Sequence, residues 1–239
     1  EAPSSGKSVL DPEIADAYEV GLKASLLDRR LFLSLAAFRN DFKDLQESSA
    51  VFLPSGAILT SIANVASARS QGVELGMSWR ASDNVSINAD VSYLDAKYRS
   101  YETAPCTTFQ SLTPGCTNDM SGNRRPFAPK FSGNVGASFS MPAFEENLEM
   151  RFDPSLYFSS RYHGSANADP LFDQEGYVKL DTRLALGPPD RSWEIAVIGK
   201  NITDKKTGSF RNGVPGALGT TYVVPDRPRS VAIQFSIRN

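Results

Sequence analysis

Apolar and polar residues alternate along much of the chain. In Val85 to Leu94, the residues Val85, Ile87, Ala89, Val91 and Tyr93 are apolar, whereas Ser86, Asn88, Asp90 and Ser92 between them are small and polar or charged. A period of two places each set on one face of an extended strand. The pattern returns at Tyr18 to Leu26, Val73 to Arg80, Phe131 to Met141 and Leu148 to Ser159. It returns again at Val178 to Leu186, Trp193 to Lys200 and Ser230 to Arg238. Leu31 to Leu45 is strand-like, but its two faces are less distinct. The spacing predicts about nine strands and no helix of convincing period. Pro154 falls inside one of these strands and has no amide to give to a ladder, which predicts a bulge or a local break there.

The strands run about 10 to 20 residues, where globular strands usually run 5 or 6. Glu, Lys, Asp and Arg occupy mid-strand positions of the polar face, as in the wall of a wet lumen. The connections alternate in length. Short turns are predicted at Asp28-Arg29-Arg30, Ala81 to Asn84, Pro142 to Asn147 and Gly187 to Arg191. Long loops are predicted near Glu47 to Ser61, Tyr101 to Pro129, Gly164 to Glu175 and Asp204 to Asp226. Short turns at one end and long loops at the other describe an antiparallel transmembrane β-barrel of the outer membrane. A soluble sandwich shares the alternation, but strand length, mid-strand charge and loop asymmetry count against it. Trp79 closes one strand beside a short turn and Trp193 opens another. Both fall on the apolar face, where a barrel carries its interfacial aromatics. Val85, Ile87, Ala89 and Val91 are therefore expected to face lipid, with Ser86, Asn88 and Asp90 toward the lumen.

Composition changes this picture little. The chain has 239 residues, with 25 Lys and Arg against 27 Asp and Glu, a formal net charge of -2. A nucleic-acid binder would carry a basic excess, so that class is excluded. No apolar run approaches the roughly 20 residues of a membrane helix. Barrel strands give only a weak hydropathy signal each, so this leaves a barrel open. The start, Glu1-Ala2-Pro3-Ser4-Ser5-Gly6, has neither an initiator Met nor the apolar core of a signal peptide, and the chain reads as a piece of something longer.

Several blocks resemble the barrel of TonB-dependent outer-membrane receptors. They are YEVGLKASLLDRRLFLSLAAFRNDFKDLQ (Tyr18 to Gln46), ARSQGVELGMSWRASDNVSINADVSYLDAKY (Ala68 to Tyr98), RPFAPKFSGNVGASF (Arg125 to Phe139) and GYVKLDTRLAL (Gly176 to Leu186). WEIAVIGKNITDKK (Trp193 to Lys206) is similar to the family's penultimate strand. The resemblance implies a barrel of about 22 strands, of which residues 1–239 would be the C-terminal portion. It implies outer-membrane lipid around the barrel of a Gram-negative bacterium, and a small-molecule solute such as an iron chelate. It further implies the TonB complex as a partner, acting through an N-terminal plug domain absent from this chain. Family members usually end on an aromatic residue, whereas this chain ends on Asn239. A passive porin is the alternative within the membrane class, and a soluble carbohydrate-binding β-sandwich is the alternative outside it.

The candidate sites are few. Cys106 and Cys116 are the two cysteines, close together in one long loop, and in an exported protein they are expected to form a disulfide. Closing so short a loop is worth roughly 2–3 kcal/mol in the chain-entropy model. Zinc would want more Cys or His nearby, so no metal or other cofactor is expected. Gly208, Gly213, Gly216 and Gly219 form a Gly-rich loop without the Gly-Lys-Ser/Thr ending of a phosphate loop. No nucleophile, base and orienter are grouped, so no enzyme is expected. Arg124, Arg125 and Arg211 lie in long loops, and Tyr162 and His163 lie where a strand reaches the outer rim. Guanidinium forks match carboxylate and phosphate oxygens, so these five residues are the candidate grip on an anionic ligand such as a ferric siderophore.

Overall fold

The computed structural model of the protein describes residues 10–52, 58–144, 147–214 and 217–238. Glu1 to Gly6, Gly216, Asn239, and Glu145 and Glu146 of one short turn lie outside these residues. Among the described residues there are eleven strands: β1 (Ile14–Leu26), β2 (Leu31–Phe52), β3 (Ile58–Arg80), β4 (Val85–Ser100), β5 (Phe131–Ala143), β6 (Leu148–Ser159), β7 (Tyr177–Gly187), β8 (Trp193–Lys200), β9 (Gly208–Val214), β10 (Ala217–Pro225) and β11 (Ser230–Ile237). Nine of them form one antiparallel sheet in the order β1-β2-β3-β4-β5-β6-β7-β8-β11, and β9 pairs with β10 as a separate hairpin. The sheet is an up-and-down meander. Its tight turns (β1–β2, β3–β4, β5–β6, β7–β8) lie at one end, and the long β4–β5 and β6–β7 connections at the other.

The register fixes the two faces. One row across the sheet reads Leu22, Leu35, Leu75, Val91, Gly133, Phe158 and Val178, each opposite the next. The row beside it reads Lys23, Ser34, Gly76, Asp90, Asn134, Tyr157 and Lys179. Directly opposite residues share a face, so the alternation seen in sequence survives as an apolar side and a polar side. Among the described residues none covers the apolar side: Val20 is 72% exposed and Ile233 75%. Each such side chain gains about 1.5–3 kcal/mol when taken from water, so a wall of them demands an apolar surrounding. The polar side carries ion pairs instead. Glu194 accepts from both Arg151 and Arg183, Arg183 reaches Asp153 at 3.6 Å, and Lys200 reaches Asp181 at 2.9 Å.

Three details sharpen or correct the sequence reading. Pro154 interrupts the β5–β6 ladder between Gly136↔Ser155 and Phe139↔Phe152, but the register is the same on both sides. It is a local break rather than a bulge, and on its other edge Pro154 still stands opposite Thr182 of β7. Glu47 to Ser61 is mostly not a loop: β2 and β3 stay paired out to Phe52↔Ile58, past a bulge between Phe42 and Leu45 where Asp44 has φ 55°. Asp204 to Asp226 contains the β9–β10 hairpin, paired from Gly208↔Pro225 to Val214↔Ala217 with shifts in register. Its Gly-rich sequence suppresses the alternation by which strands are recognised.

The blurred faces of Leu31 to Leu45 also have a cause. Phe32 stands opposite Ser25 and Ser78 on the polar side, and Phe38 stands opposite Gly72 on the same side. The Phe38 ring lies over Gly72, where a Cβ would collide with the Tyr93 carbonyl and meet the ring at 3.1 Å. Only glycine fits that approach.

Candidate ligand-binding site at the loop end

The β4–β5 connection returns along its own starting strand. The amides of Met120, Gly122 and Arg125 donate to the carbonyls of Tyr101, Tyr98 and Ala96 at 2.8, 2.9 and 3.0 Å, and the Tyr98 amide donates to Asn123 at 2.9 Å. Consecutive residues of this extended return point to opposite sides. Arg124 turns to Asp95, at 3.7 Å, on the side that continues the apolar face. Arg125 turns to the polar side. Its guanidinium lies 5.8 Å from the Phe42 ring and 5.7 Å from the Tyr98 ring, and 3.4 Å from the Glu47 carboxylate.

Beneath Arg125 is a small core of Leu45, Ala66, Ala68, Tyr98, Tyr101, Ala104 and Met120. Tyr98 and Tyr101 are fully buried, and their hydroxyls donate to Glu47 (2.9 Å) and to the Ser48 carbonyl (2.5 Å). Burial, with the Glu47 carboxylate adding to it, pushes the Tyr101 phenol well above its usual range. Tyr101 is therefore a neutral donor.

The disulfide Cys106–Cys116 is formed, and an isolated bridge between Ala104 and Asn118 closes its base. The β6–β7 connection fastens to this loop through buried polar groups. Asp169 begins a short 3-10 turn (Pro170–Phe172), accepting from the Leu171 amide at 3.0 Å. It also accepts from the Thr108 amide and hydroxyl, each at 2.6 Å. Asn118 donates to the carbonyls of Pro105 (2.9 Å) and Asn167 (3.2 Å), and Asn167 donates to Cys106 (3.0 Å).

The same connection fastens to the β9–β10 hairpin on its other flank. The Gln174 side-chain oxygen accepts from the Gly208 amide and from Arg211, both at 3.1 Å. Its backbone pairs with Tyr162, whose ring lies 6.2 Å from Phe127. Burial raises the Tyr162 phenol above its ordinary value. The His163 carbonyl accepts from the Phe127 amide at 2.8 Å. The His163 Nδ1 is 2.7 Å from one Asp173 oxygen, and Arg161 donates to the other at 2.6 Å. That bond to Asp173 holds the Arg161 guanidinium above its ordinary value.

Tyr162, His163 and Arg211 thus meet around Gln174 and Asp173, while Arg125 sits over the Tyr98 core and Arg124 lies on the other side of the sheet. Nε of Arg125, Nε of Arg211 and Nη1 of Arg124 are buried without a hydrogen-bond partner among the described residues. Sequence reasoning missed Asp169, Asp173 and Gln174, the groups that lock the loops together. Asp169-Pro170 is a turn-initiating pair and could have marked the first. Among the described residues no three His, Cys, Asp or Glu are arranged to hold a metal ion. Below the loops the polar side is shallowly hollow. Two concavities of about 540 and 590 Å³ share Ser34, Gly76 and Asp90, where Gly76 opens the wall.

A long-stranded antiparallel meander, apolar on one face, charged on the other and capped by interlocked loops, defines the wall of a partial transmembrane β-barrel. The chain belongs to the TonB-dependent receptor β-barrel family: the model described as TonB dependent receptor-like, beta-barrel, matches residues 2–202. A probable TonB-dependent siderophore receptor, PiuA of Acinetobacter baumannii, is 28% identical over 211 residues, 86% of this chain and 25% of that protein. The metal-pseudopaline receptor CntO of Pseudomonas aeruginosa is 26% identical over 232 residues, 95% of this chain and 28% of that protein. The chain therefore spans about a quarter of the length of these relatives. Among solved structures, the ferric yersiniabactin uptake receptor FyuA from Yersinia pestis has a TM-score of 0.69 at 18% identity, covering 94% of this chain and 30% of that one. The siderophore receptor PiuA from Acinetobacter baumannii also gives 0.69, at 22% identity, covering 97% and 29%. At these identities the structural likeness shows the fold.

Proposed function

We propose that residues 1–239 form the C-terminal portion of the barrel of an outer-membrane receptor that takes up a scarce solute, most simply an iron chelate such as a ferric siderophore. The whole protein would draw on the TonB complex through a plug domain outside this chain, in the outer membrane of a Gram-negative bacterium. The observation that carries the reading is the pairing of an unprotected apolar face with a charged inner face under one interlocked set of loops. The siderophore and metal-chelate receptors among the relatives support the solute class. Arg125 and Arg211 offer guanidiniums to an anionic chelate, and Tyr162 and His163 offer rings, with Glu47, Asp173 and Gln174 holding them. The Trp79 and Trp193 rings sit where the apolar face meets the headgroups.

The test is growth of a deletion strain on single iron chelates under iron limitation, with and without a plasmid carrying the full-length gene. The expected result is one chelate whose use depends on the gene and on the inner-membrane proton gradient. Gene-dependent entry that continues after the gradient is collapsed would indicate a passive porin instead.

A further inference from the structure

The Gly-rich stretch that carries the β9–β10 hairpin holds a chemistry of its own. Of the chain's asparagines only Asn212 is followed by glycine. Any other residue there would crowd its own amide nitrogen with a side chain, whereas glycine leaves that nitrogen open to approach. Asn212 stands opposite Tyr222, and the ladder shifts register just beyond Gly213, between Thr221 and Ala217. The Asn212 side chain is exposed, on the side of the hairpin away from Arg211, because consecutive strand residues point to opposite faces.

The side chain is already folded back onto the next peptide. The Gly213 amide donates to Oδ1 of Asn212 at 2.8 Å, which brings its nitrogen beside the carboxamide carbon, Cγ. A nucleophile held at its target in this way needs no encounter step. The surroundings are open: among the described residues, a Cβ on Gly213 would meet only the Phe172 ring, at 3.8 Å. Asn201 is the contrast. It is buried, its Nδ2 donates to the carbonyls of Lys205 (3.0 Å) and Arg227 (3.2 Å), and its Oδ1 accepts from the Lys205 amide at 3.0 Å. Its carboxamide is thus held away from the nitrogen of Ile202, which follows it.

We propose that Asn212 is a self-modifying site, at which the Gly213 nitrogen converts the carboxamide to a carboxylate without an enzyme. The Gly213 nitrogen, its proton passed to water, attacks Cγ of Asn212. A C–N bond closes a succinimide ring, and the Cγ–Nδ2 bond breaks to release ammonia. Water then opens the ring: cleavage at Cγ leaves aspartate, and cleavage at the backbone carbonyl carbon leaves isoaspartate. One water enters, one ammonia leaves, and nothing is oxidised or reduced. Either product adds a negative charge to the hairpin, and isoaspartate also routes the main chain through Cβ. Gln174 holds this hairpin through the Gly208 amide and Arg211, both at 3.1 Å. A strand lengthened at position 212 cannot keep both Arg211 opposite Val223 and Gly213 opposite Thr221, so the hairpin loosens from the loop beside it.

The experiment ages the full-length receptor, folded in detergent, at mildly alkaline pH, and maps it by brief trypsin digestion in mild acid and mass spectrometry. Cleavage after Arg211 releases Asn212 to Arg229, because the Arg227–Pro228 bond resists trypsin, and Asn212 is the one asparagine in that peptide. Its mass should rise by the difference between a hydroxyl and an amino group, and isoaspartate methyltransferase should label the product. The peptide Asn201 to Lys205 should stay unchanged. Gly213→Ala, which the open space at Gly213 admits, should convert several-fold more slowly, and Asn212→Gln should not convert. The Gly208 amide of the aged receptor should exchange its hydrogen faster than that of the Asn212→Gln variant aged alongside. Heat-modifiable gel migration reports that each protein is folded, and the wild-type comparison of Asn212 with Asn201 carries the test if a variant is not. A mass gain confined to unfolded chains, equal conversion of Asn201, or an equal rate in folded Gly213→Ala would each overturn the site. Unchanged Gly208 exchange after conversion would overturn the loosening of the hairpin.

Discussion

Replacing Val91 with arginine tests which face meets lipid. On β4 the apolar positions run from Val85 to Tyr93, so Ala89 is central and Val91 is one residue pair nearer the loops. That is about 7 Å along the strand, or roughly 5 Å in height for a strand tilted near 40°. Val91 stands between Leu75 and Gly133 in an apolar row, with no carboxylate opposite it. A charge near the bilayer midplane costs about 2–4 kcal/mol and little at the interface, so Val91→Arg should cost about 2–3 kcal/mol. Its neighbour Ser92 stands between Glu74 and Ser132 on the polar side. Ser92→Arg meets water and a carboxylate there, and should stay within about 0.5 kcal/mol of wild type. The assay is urea unfolding of the full-length receptor in lipid vesicles, read by tryptophan fluorescence. Equal costs at the two positions would refute the assignment of faces.

Four further outcomes follow from the same structure. An epitope inserted between Cys106 and Cys116 should be labelled on intact cells, and one at Asn147 only after permeabilisation; the reverse would invert the barrel. Asp169→Ala removes the acceptor for two Thr108 donors and the Leu171 amide. It should open the loops locally by about 2–3 kcal/mol, seen as faster hydrogen exchange at Thr108, with global stability little changed. Gly133→Ala would set a Cβ 2.5 Å from the Asp90 carbonyl and 2.9 Å from the Phe158 ring, and should destabilise the barrel by about 1–3 kcal/mol in the same unfolding assay. The Ser192 amide, with the Ser192 hydroxyl, holds the Asp190 carboxyl below the ordinary carboxylate range. A depressed carboxylate stabilises above its unfolded pKa and less as pH falls through the folded one, so the Ser192 amide should lose exchange protection only in strong acid.

The part of the structure written with a period of two is legible in the residues alone. Eight of the nine sheet strands carry local alternation, β2 being blurred by Phe32 and Phe38, and a strand's two faces follow from backbone geometry without reference to any partner. The pattern also excludes a one-residue slip, which would turn Leu75 inward and Glu74 outward, but a slip of two keeps the faces and only the structure fixes the register. The tertiary structure decided everything that depends on distant residues. Thr108 and Asp169 are 61 positions apart, and Gly208 and Gln174 are 34 apart, so no window of sequence contains the bonds that interlock the loops. The outward pairing of β2 and β3 past Asp44, and the β9–β10 hairpin, lack alternation and are held by backbone bonds to a neighbour. The adjacent arginines 124 and 125 show the limit most clearly. Their sequence gives two equal cations, and only the extended return of the loop beside β4 sends one to the lipid side and the other over the Tyr98 ring, because successive side chains of an extended backbone must diverge.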